Sequence, residues 1–437
     1  MKIYIIDLLL RQREQQLRPD EHAKHKQTAA QGDLASLAGE GSIFGGSAAE
    51  KLERLQTELR PLSCRYDVVV ANPPYMGSSS LGKWMGAWVK KRYPEAYRDL
   101  CTSFIDRGFA LSVADGYSAM VTMQSWMFLG SFEKLRGKIL RNHSISSMAH
   151  LGTRSFGAIA GEVVSTTATV FANAKTEVKG AYFRLVDMGS EAEKQAGLLE
   201  ALANPDCGWF YRADAAGFGA IPGSPIAYWA SDAEIEAFKN GTAIKDMDSP
   251  HAGISTGDNE RFIKLWYEVQ LVDIGNKYFH HIKGGEYRKW FGNRDHVLRY
   301  DSESIAAMKK CPGFRHDGSR YYFQPMISWT KITSGAFHMR YFESGFTFDS
   351  AAPAFVEMPS ADLSYILGLL NSSLSRKLFG YLNPTLNYPP GPVSLVPVIV
   401  PKDKSVVVDL VNESITLGKE DWNSFEESWG FYKHPLI

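Results

Sequence analysis

Asp67-Val-Val-Val-Ala-Asn72-Pro73-Pro74-Tyr75 is the stretch from which the fold can be read. Tyr66 to Ala71 is a short β-branched apolar run, and Asn-Pro-Pro stops it abruptly. A run of this kind predicts a buried strand with a sharp end. Neither proline has an N–H and both have a fixed φ, so the backbone after Asn72 is stiff and its carbonyls are aimed. The residue before each proline is held in extended geometry, which keeps Asn72 and Pro73 out of helix.

Such an arrangement suits work on an exocyclic amino group of a nucleic-acid base. That amine is a poor nucleophile because its lone pair is delocalised into the ring. Two acceptors taking its two hydrogens leave the lone pair pointing outward. The Asn72 side-chain oxygen offers one acceptor and the Pro73 carbonyl the other. Tyr75 can stack on a base flipped out of the duplex. The plainer alternative is a strand followed by a proline-rich turn with an exposed tyrosine.

Strand-Asn72-Pro73-Pro74-Tyr75 resembles the catalytic motif of amino-group DNA methyltransferases, chiefly the N6-adenine kind. Three longer stretches resemble the adenine methyltransferase of BREX phage-defence systems, the PglX type. They are Asn72-Pro-Pro-Tyr-Met-Gly-Ser78, Met120-Val-Thr-Met-Gln-Ser-Trp-Met-Phe-Leu129 and His150-Leu-Gly-Thr-Arg-Ser-Phe156-Gly. The resemblance runs through most of the chain and is weakest at its start. It implies site-specific methylation of adenine N6 in double-stranded DNA, with S-adenosylmethionine as cofactor. Asn72, Pro73, Pro74 and Tyr75 would be the catalytic set, and Tyr75 with Phe156 would hold the base. It also implies a phage-defence or restriction-modification setting with other defence-system proteins as partners.

The chain has 437 residues, room for two or three domains and a sizeable core. Lys plus Arg and Asp plus Glu both number 48, so DNA binding has to rest on local patches rather than net charge. Cys64, Cys101, Cys207 and Cys311 are widely spaced, without metal-ligand spacing, which fits a reduced cytoplasmic setting and no metal. Met1 to Leu10 is apolar but short and lacks a cleavage pattern, so neither a signal peptide nor a membrane span is expected.

Residues 1–60 read as a polar N-terminal arm, poorly ordered or helical. In the family order, a glycine turn after a strand holds the cofactor upstream of the Asn-Pro-Pro-Tyr motif. Gly39 to Gly46 has the glycines but no β-branched strand before it. The expectation is therefore a fragment or truncated member in which the cofactor half of the domain is missing and the cofactor-binding residues are unknown. A DNA-binding remnant without catalysis is the alternative.

Residues 61–225 are expected to form the catalytic half of a Rossmann-like α/β methyltransferase sheet. Glu95 to Ala114 has helical spacing, Asp115-Gly116 is a turn, and Tyr117 to Met123 reads as a strand. Phe132 to Arg141 (helix) and Ile145 to His150 (strand) follow. Val163 to Ala172 and Val178 to Asp187 suggest a hairpin, and Glu191 to Ala203 a helix. Gln124-Ser-Trp126 follows a strand end, where ligands collect, or is simply a loop with a core tryptophan.

Residues 226–437 are expected to be an α+β target-recognition domain. Ala233 to Lys239 reads as a short helix. From His251 onward, basic, aromatic and glycine residues mingle, as on a loop-presented nucleic-acid surface. Lys283, Arg288, Lys289, Arg294 and Arg299 are the candidate DNA contacts, beside Tyr287, Trp290 and Phe291. An ordinary solvated face over an aromatic core is the alternative. Tyr365 to Phe379 reads as one apolar helix, Asn383 to Pro392 as a rigid turn, and Val396 to Val400 as a strand.

Overall fold

The computed structural model describes residues 61, 63–155, 164–333, 335–383, 386–434 and 436. The arm 1–60 with its Gly39 to Gly46 run, and Phe156, lie outside the described residues. Two compact units are present: the chain up to Gly219 with Gly223–Trp229, and Ala220–Pro222 with Ala230 onward.

The first unit is built on a six-stranded mixed sheet. Its elements are β1 (Tyr66–Ala71), α1 (Lys83–Arg92), α2 (Leu100–Leu111), β2 (Ser112–Met123), α3 (Glu133–Asn142), β3 (Ser144–Gly152), β4 (Thr166–Ala172), β5 (Gly180–Arg184), α4 (Glu191–Ala203) and β6 (Phe210–Ala213). The strand order is β1-β2-β4-β3-β5-β6. β1 lies parallel to β2 and β3 parallel to β5, while the remaining neighbours are antiparallel.

Alternate residues of the strands face opposite ways. Met120 joins Ile105 and Phe109 of α2 and Leu135 and Ile139 of α3 on one face. Ala119 and Val121 join Leu198 and Ala201 of α4 on the other. This two-faced burial is why β3 and β4 are buried at nearly every position, Ser and Thr included, rather than at alternate ones.

Three expectations change here. β1 has the expected bounds but, among the described residues, is an edge strand. Val69 and Ala71 pack inward, whereas Tyr66, Val68 and Val70 are 40%, 43% and 51% exposed. α2 ends at Leu111, and β2 begins at once. A register irregularity beside β1 takes up the Asp115-Gly116 turn, and a Cβ on Gly116 would sit 2.8 Å from the Asp67 carbonyl. β4 and β5 do not form a hairpin, because β3 lies between them. The Asn173 amide after β4 donates to the carbonyls of Phe109, Ser112 and Val113, which anchors that turn to the α2–β2 junction rather than folding β5 back on β4.

The second unit is α+β. It contains α5 (Asp232–Asn240), β7 (Thr242–Ala243), β8 (Ile263–Leu265), β9 (Tyr278–Ile282), β10 (His296–Arg299), α6 (Ser302–Met308), β11 (Met326–Trp329), β12 (Met339–Phe342), β13 (Phe346–Phe348), β14 (Ala354–Phe355), α7 (Ser360–Asn371), α8 (Ser373–Leu382), β15 (Pro397–Val398) and α9 (Ser405–Asn423). The sheets run β13-β9-β10-β8, β12-β11-β14 and β15-β7. A core of Phe262, Ile282, Met308, Tyr321, Tyr322, Phe342, Phe346 and Phe348 joins the first two. The apolar run from Tyr365 is two helices, not one. Ser372 caps α8 by accepting from the Ser375 N–H, which breaks the run between Asn371 and Ser373. The expected strand from Val396 shortens to two residues.

Candidate methyl-transfer site

The Asn72-Pro-Pro-Tyr segment leaves the C-terminal end of β1, beside the end of parallel β2. Ligands collect at such strand ends in open α/β sheets. The segment is stitched to the start of α2. Met76 accepts from the Leu100 N–H at 2.9 Å and donates to Asp99 Oδ1 at 3.3 Å, and the Ser78 N–H donates to the Arg98 carbonyl at 2.9 Å. Asp99 Oδ1 also caps α2 through the Cys101 N–H at 2.9 Å.

Pro73 is buried, Asn72 and Pro74 are exposed, and Tyr75 is half-buried. The Tyr75 hydroxyl lies 3.2 Å from Asn72 Oδ1 and 3.4 Å from the Val121 carbonyl of β2. The structure therefore brings Asn72 and Tyr75 together. Burial, and then the neighbouring Cys101, push the Tyr75 phenol well above its ordinary value, so it remains a neutral donor.

The next loop, Gln124 to Leu129, is held from below by a residue that the sequence did not reveal. Arg136 of α3 is buried and donates to the carbonyls of Trp126 (2.9 Å), Leu129 (2.7 Å) and Gly223 (2.6 Å). Burial lowers its pKa to about 10, so it stays charged at neutral pH. Trp126 is core, its indole N–H donating to Thr122 Oγ1 at 3.0 Å. Gln124 is the outward member of that triplet. Its Oε1 lies 2.8 Å from His150 Nε2, and His150 Nδ1 lies 2.9 Å from the Tyr228 hydroxyl. Phe128 and Trp229 pack near this imidazole, with ring centroids 6.0 and 6.3 Å away. Burial, then Arg184 and Lys194, lower the His150 pKa to about 3. A neutral histidine in an aromatic setting thus closes the end of β3.

α1 was also not anticipated. It carries Lys83, Lys90, Lys91 and Arg92 with no acid, and Trp84 and Trp88 are 74% and 48% exposed. Its sequence lacks a clean helical stripe, which is why periodicity gave no signal.

The predicted DNA contacts fare unevenly. Arg294 is buried and is corrected to a core residue. It forms a two-point pair with Glu343 at 2.6 Å each and sits 3.6 Å from the Phe291 ring centroid. Arg288 pairs with Asp421 at 2.6 Å over the Trp422 ring, and Lys289 donates to the Asn371 carbonyl at 2.6 Å. Arg299 pairs with Asp301 at 3.2 Å, and Lys283 is half-buried. Tyr287 is exposed while Phe291 is buried. The loop takes an unusual path: Trp290 and Asn293 have φ of 69° and 53°, among left-handed Gly284, Gly285 and Gly292. Buried Arg340 donates to the Arg288 carbonyl at 3.2 Å from beneath.

Among the described residues the strand beside β1 is β2, and the turn after it, Gln124 to Met127, has no glycine.

A parallel strand ending in Asn-Pro-Pro-Tyr, in a sheet covered by helices on both faces, defines an amino-methyltransferase sheet. The Eco57I restriction-modification methylase family matches residues 11–156. The chain is 39% identical over 92% of its length to the adenine-specific methyltransferase BrxX of Escherichia coli O9:H4 (strain HS). It is 37% identical over 86% of its length to the adenine-specific methyltransferase PglX of Lacticaseibacillus casei (strain Zhang). The chain is similar to these adenine-specific methyltransferases, and it spans 33% of the length of each of them. Its fold is similar to that of the Type IIL restriction-modification enzyme MmeI, solved with DNA, at a TM-score of 0.54 and 11% identity over 86% of this chain and 52% of that one.

Proposed function

We propose that this chain provides the amine-orienting half of an enzyme that methylates adenine N6 in double-stranded DNA. The observation that carries the reading is the Asn72–Tyr75 segment, fixed at the end of β1 with its hydrogen bond to Tyr75. On arrival of a flipped adenine, Asn72 Oδ1 exchanges its Tyr75 hydroxyl partner for one N6 hydrogen. The Pro73 carbonyl takes the other, and the lone pair is freed. The Tyr75 ring stacks on one face of the base, and Phe156 is proposed for the other. S-adenosylmethionine supplies the methyl group. The amine proton becomes acidic only as the new bond forms, so no strong base is needed.

The second unit is proposed as the target-recognition domain, with Lys283, Arg288, Lys289 and Arg299 toward phosphates or bases and Arg294 removed from that set. Residues 61–225 would be the catalytic half and 226–437 the recognition domain. Among the described residues no helix is long and apolar enough to cross a membrane, and a cytoplasmic setting within a phage-defence system, with partner proteins of that system, is part of the proposal. The alternative reading is DNA binding without catalysis.

The two readings part in a host whose genomic N6-methyladenine is mapped by sequencing. An Asn72→Ala allele at equal expression is expected to abolish methylation at the target site while DNA affinity stays nearly intact, because phosphates dominate affinity. Methylation at the normal level in that allele would remove Asn72 from the site.

A further inference from the structure

In the second unit, Asp248, His251 and Glu357 meet outside the proposed DNA chemistry. One candidate ligand atom from each lies within 4.8 Å of the others. The backbone sets up the cluster. His251 and Ala354 exchange both main-chain hydrogen bonds, at 2.8 and 3.0 Å, which pins residue 251 to the start of β14. Asp248 Oδ2 accepts from the N–H groups of Val356 (2.8 Å) and Glu357 (3.0 Å). The carboxylate is thereby locked in orientation with Oδ1 facing the cluster.

The Asp248 side chain is 1% exposed, yet its Oδ1 has no hydrogen-bond partner, and neither has His251 Nε2. A buried acceptor left without a partner is costly. The imidazole is held flat against the Tyr321 ring, with centroids 3.6 Å apart, so it has little freedom to turn toward another partner.

The distances decide what would satisfy these atoms. His251 Nε2 is 3.6 Å from Asp248 Oδ1 and 3.4 Å from Glu357 Oε2. Both are longer than a good N–H···O bond of about 2.7–3.2 Å. Two ligands that each sit about 2.1 Å from one tetrahedral ion stand about 3.4 Å apart. We infer that Asp248, His251 and Glu357 form a site for a divalent cation of the zinc class, with water completing the shell. One imidazole and two carboxylates match zinc or manganese better than magnesium or calcium, which want mostly oxygen ligands. Two carboxylates against one dication balance its charge. Arg320, at the surface, interacts electrostatically with Glu357 and competes with the ion for it. The bound ion ties residues 248–251 to the end of β14.

The test uses the whole chain, stripped with a chelator and then dialysed at pH 7.5 against Zn2+, with bound metal counted by mass spectrometry. Wild type is compared with Glu357→Gln, a change at a half-exposed side chain, and with Asp248→Asn. Wild type is expected to bind one more Zn2+ than either variant, or to bind it at least about tenfold more tightly. Zn2+ should raise the unfolding midpoint of wild type and leave that of Glu357→Gln unmoved, while excess Mg2+ displaces nothing. Cysteines and other histidines are common to all three chains and cancel. Equal Zn2+ stoichiometry and affinity in wild type and Glu357→Gln would overturn the site, leaving an ion pair of His251 with its carboxylates. Displacement of Zn2+ by Mg2+ at similar concentration would overturn the class of cation.

Discussion

Asn72 and Tyr75 were legible because their chemistry is local: two prolines, an amide and a ring in four successive residues. His150 was not. Its partners, Gln124 and Tyr228, lie far away in sequence, and no spacing rule joins them. The same residue carries a pH prediction. With its folded pKa lowered to about 3 from an ordinary 6.5, the unfolded chain binds one proton more between those values. Stability contributed by the neutral imidazole is therefore full above pH 6.5 and is lost as pH falls toward 3. The slope approaches about 1.4 kcal/mol per pH unit for this one site. Urea unfolding of wild type and His150→Gln across pH 7 to 4.5 should converge as the pH falls. Parallel curves would place the imidazole in contact with water.

Arg294 shows why the second unit was harder to read. The stretch Lys283 to Arg299 looks like a DNA surface because arginines and aromatics alternate in it. Tertiary packing then turns the same residues inward: Phe291, Phe342 and Phe346 cage the guanidinium, and Glu343 reaches it from the surface side. Sequence composition cannot tell an arginine that meets phosphate from one that meets Glu343 in the turn between β12 and β13. Arg294→Ala is accordingly expected to cost stability, about 3 kcal/mol, by emptying the aromatic cage. Arg288→Ala should cost less, about 1 kcal/mol, since its partner Asp421 is 60% exposed. Thermal unfolding of the two variants checks the order. In the first unit the strands were legible from their apolar runs, but their neighbours were not. The place of β3 between β4 and β5 is set by contacts such as Asn173 with the α2–β2 junction, which no periodicity records.

At the scale of the whole chain, the described residues carry the proposed amine-side site. Calorimetric titration of the purified chain with S-adenosylmethionine is expected to give affinity weaker than low micromolar. Low-micromolar binding would place a working cofactor loop in this chain, with Gly39 to Gly46 the first segment to mutate. Within the described residues the outer rim of β1 pairs with nothing, and Val68 and Val70 stand open on its uncovered face. Such a rim is a ladder with one rail, and it invites edge-to-edge clumping unless another strand closes it. A strand laid alongside in the same direction would end about 4.8 Å from β1, at the same end of the sheet as Asn72. Whatever loop followed that strand would be delivered to the amine by the spacing of backbone hydrogen bonds alone.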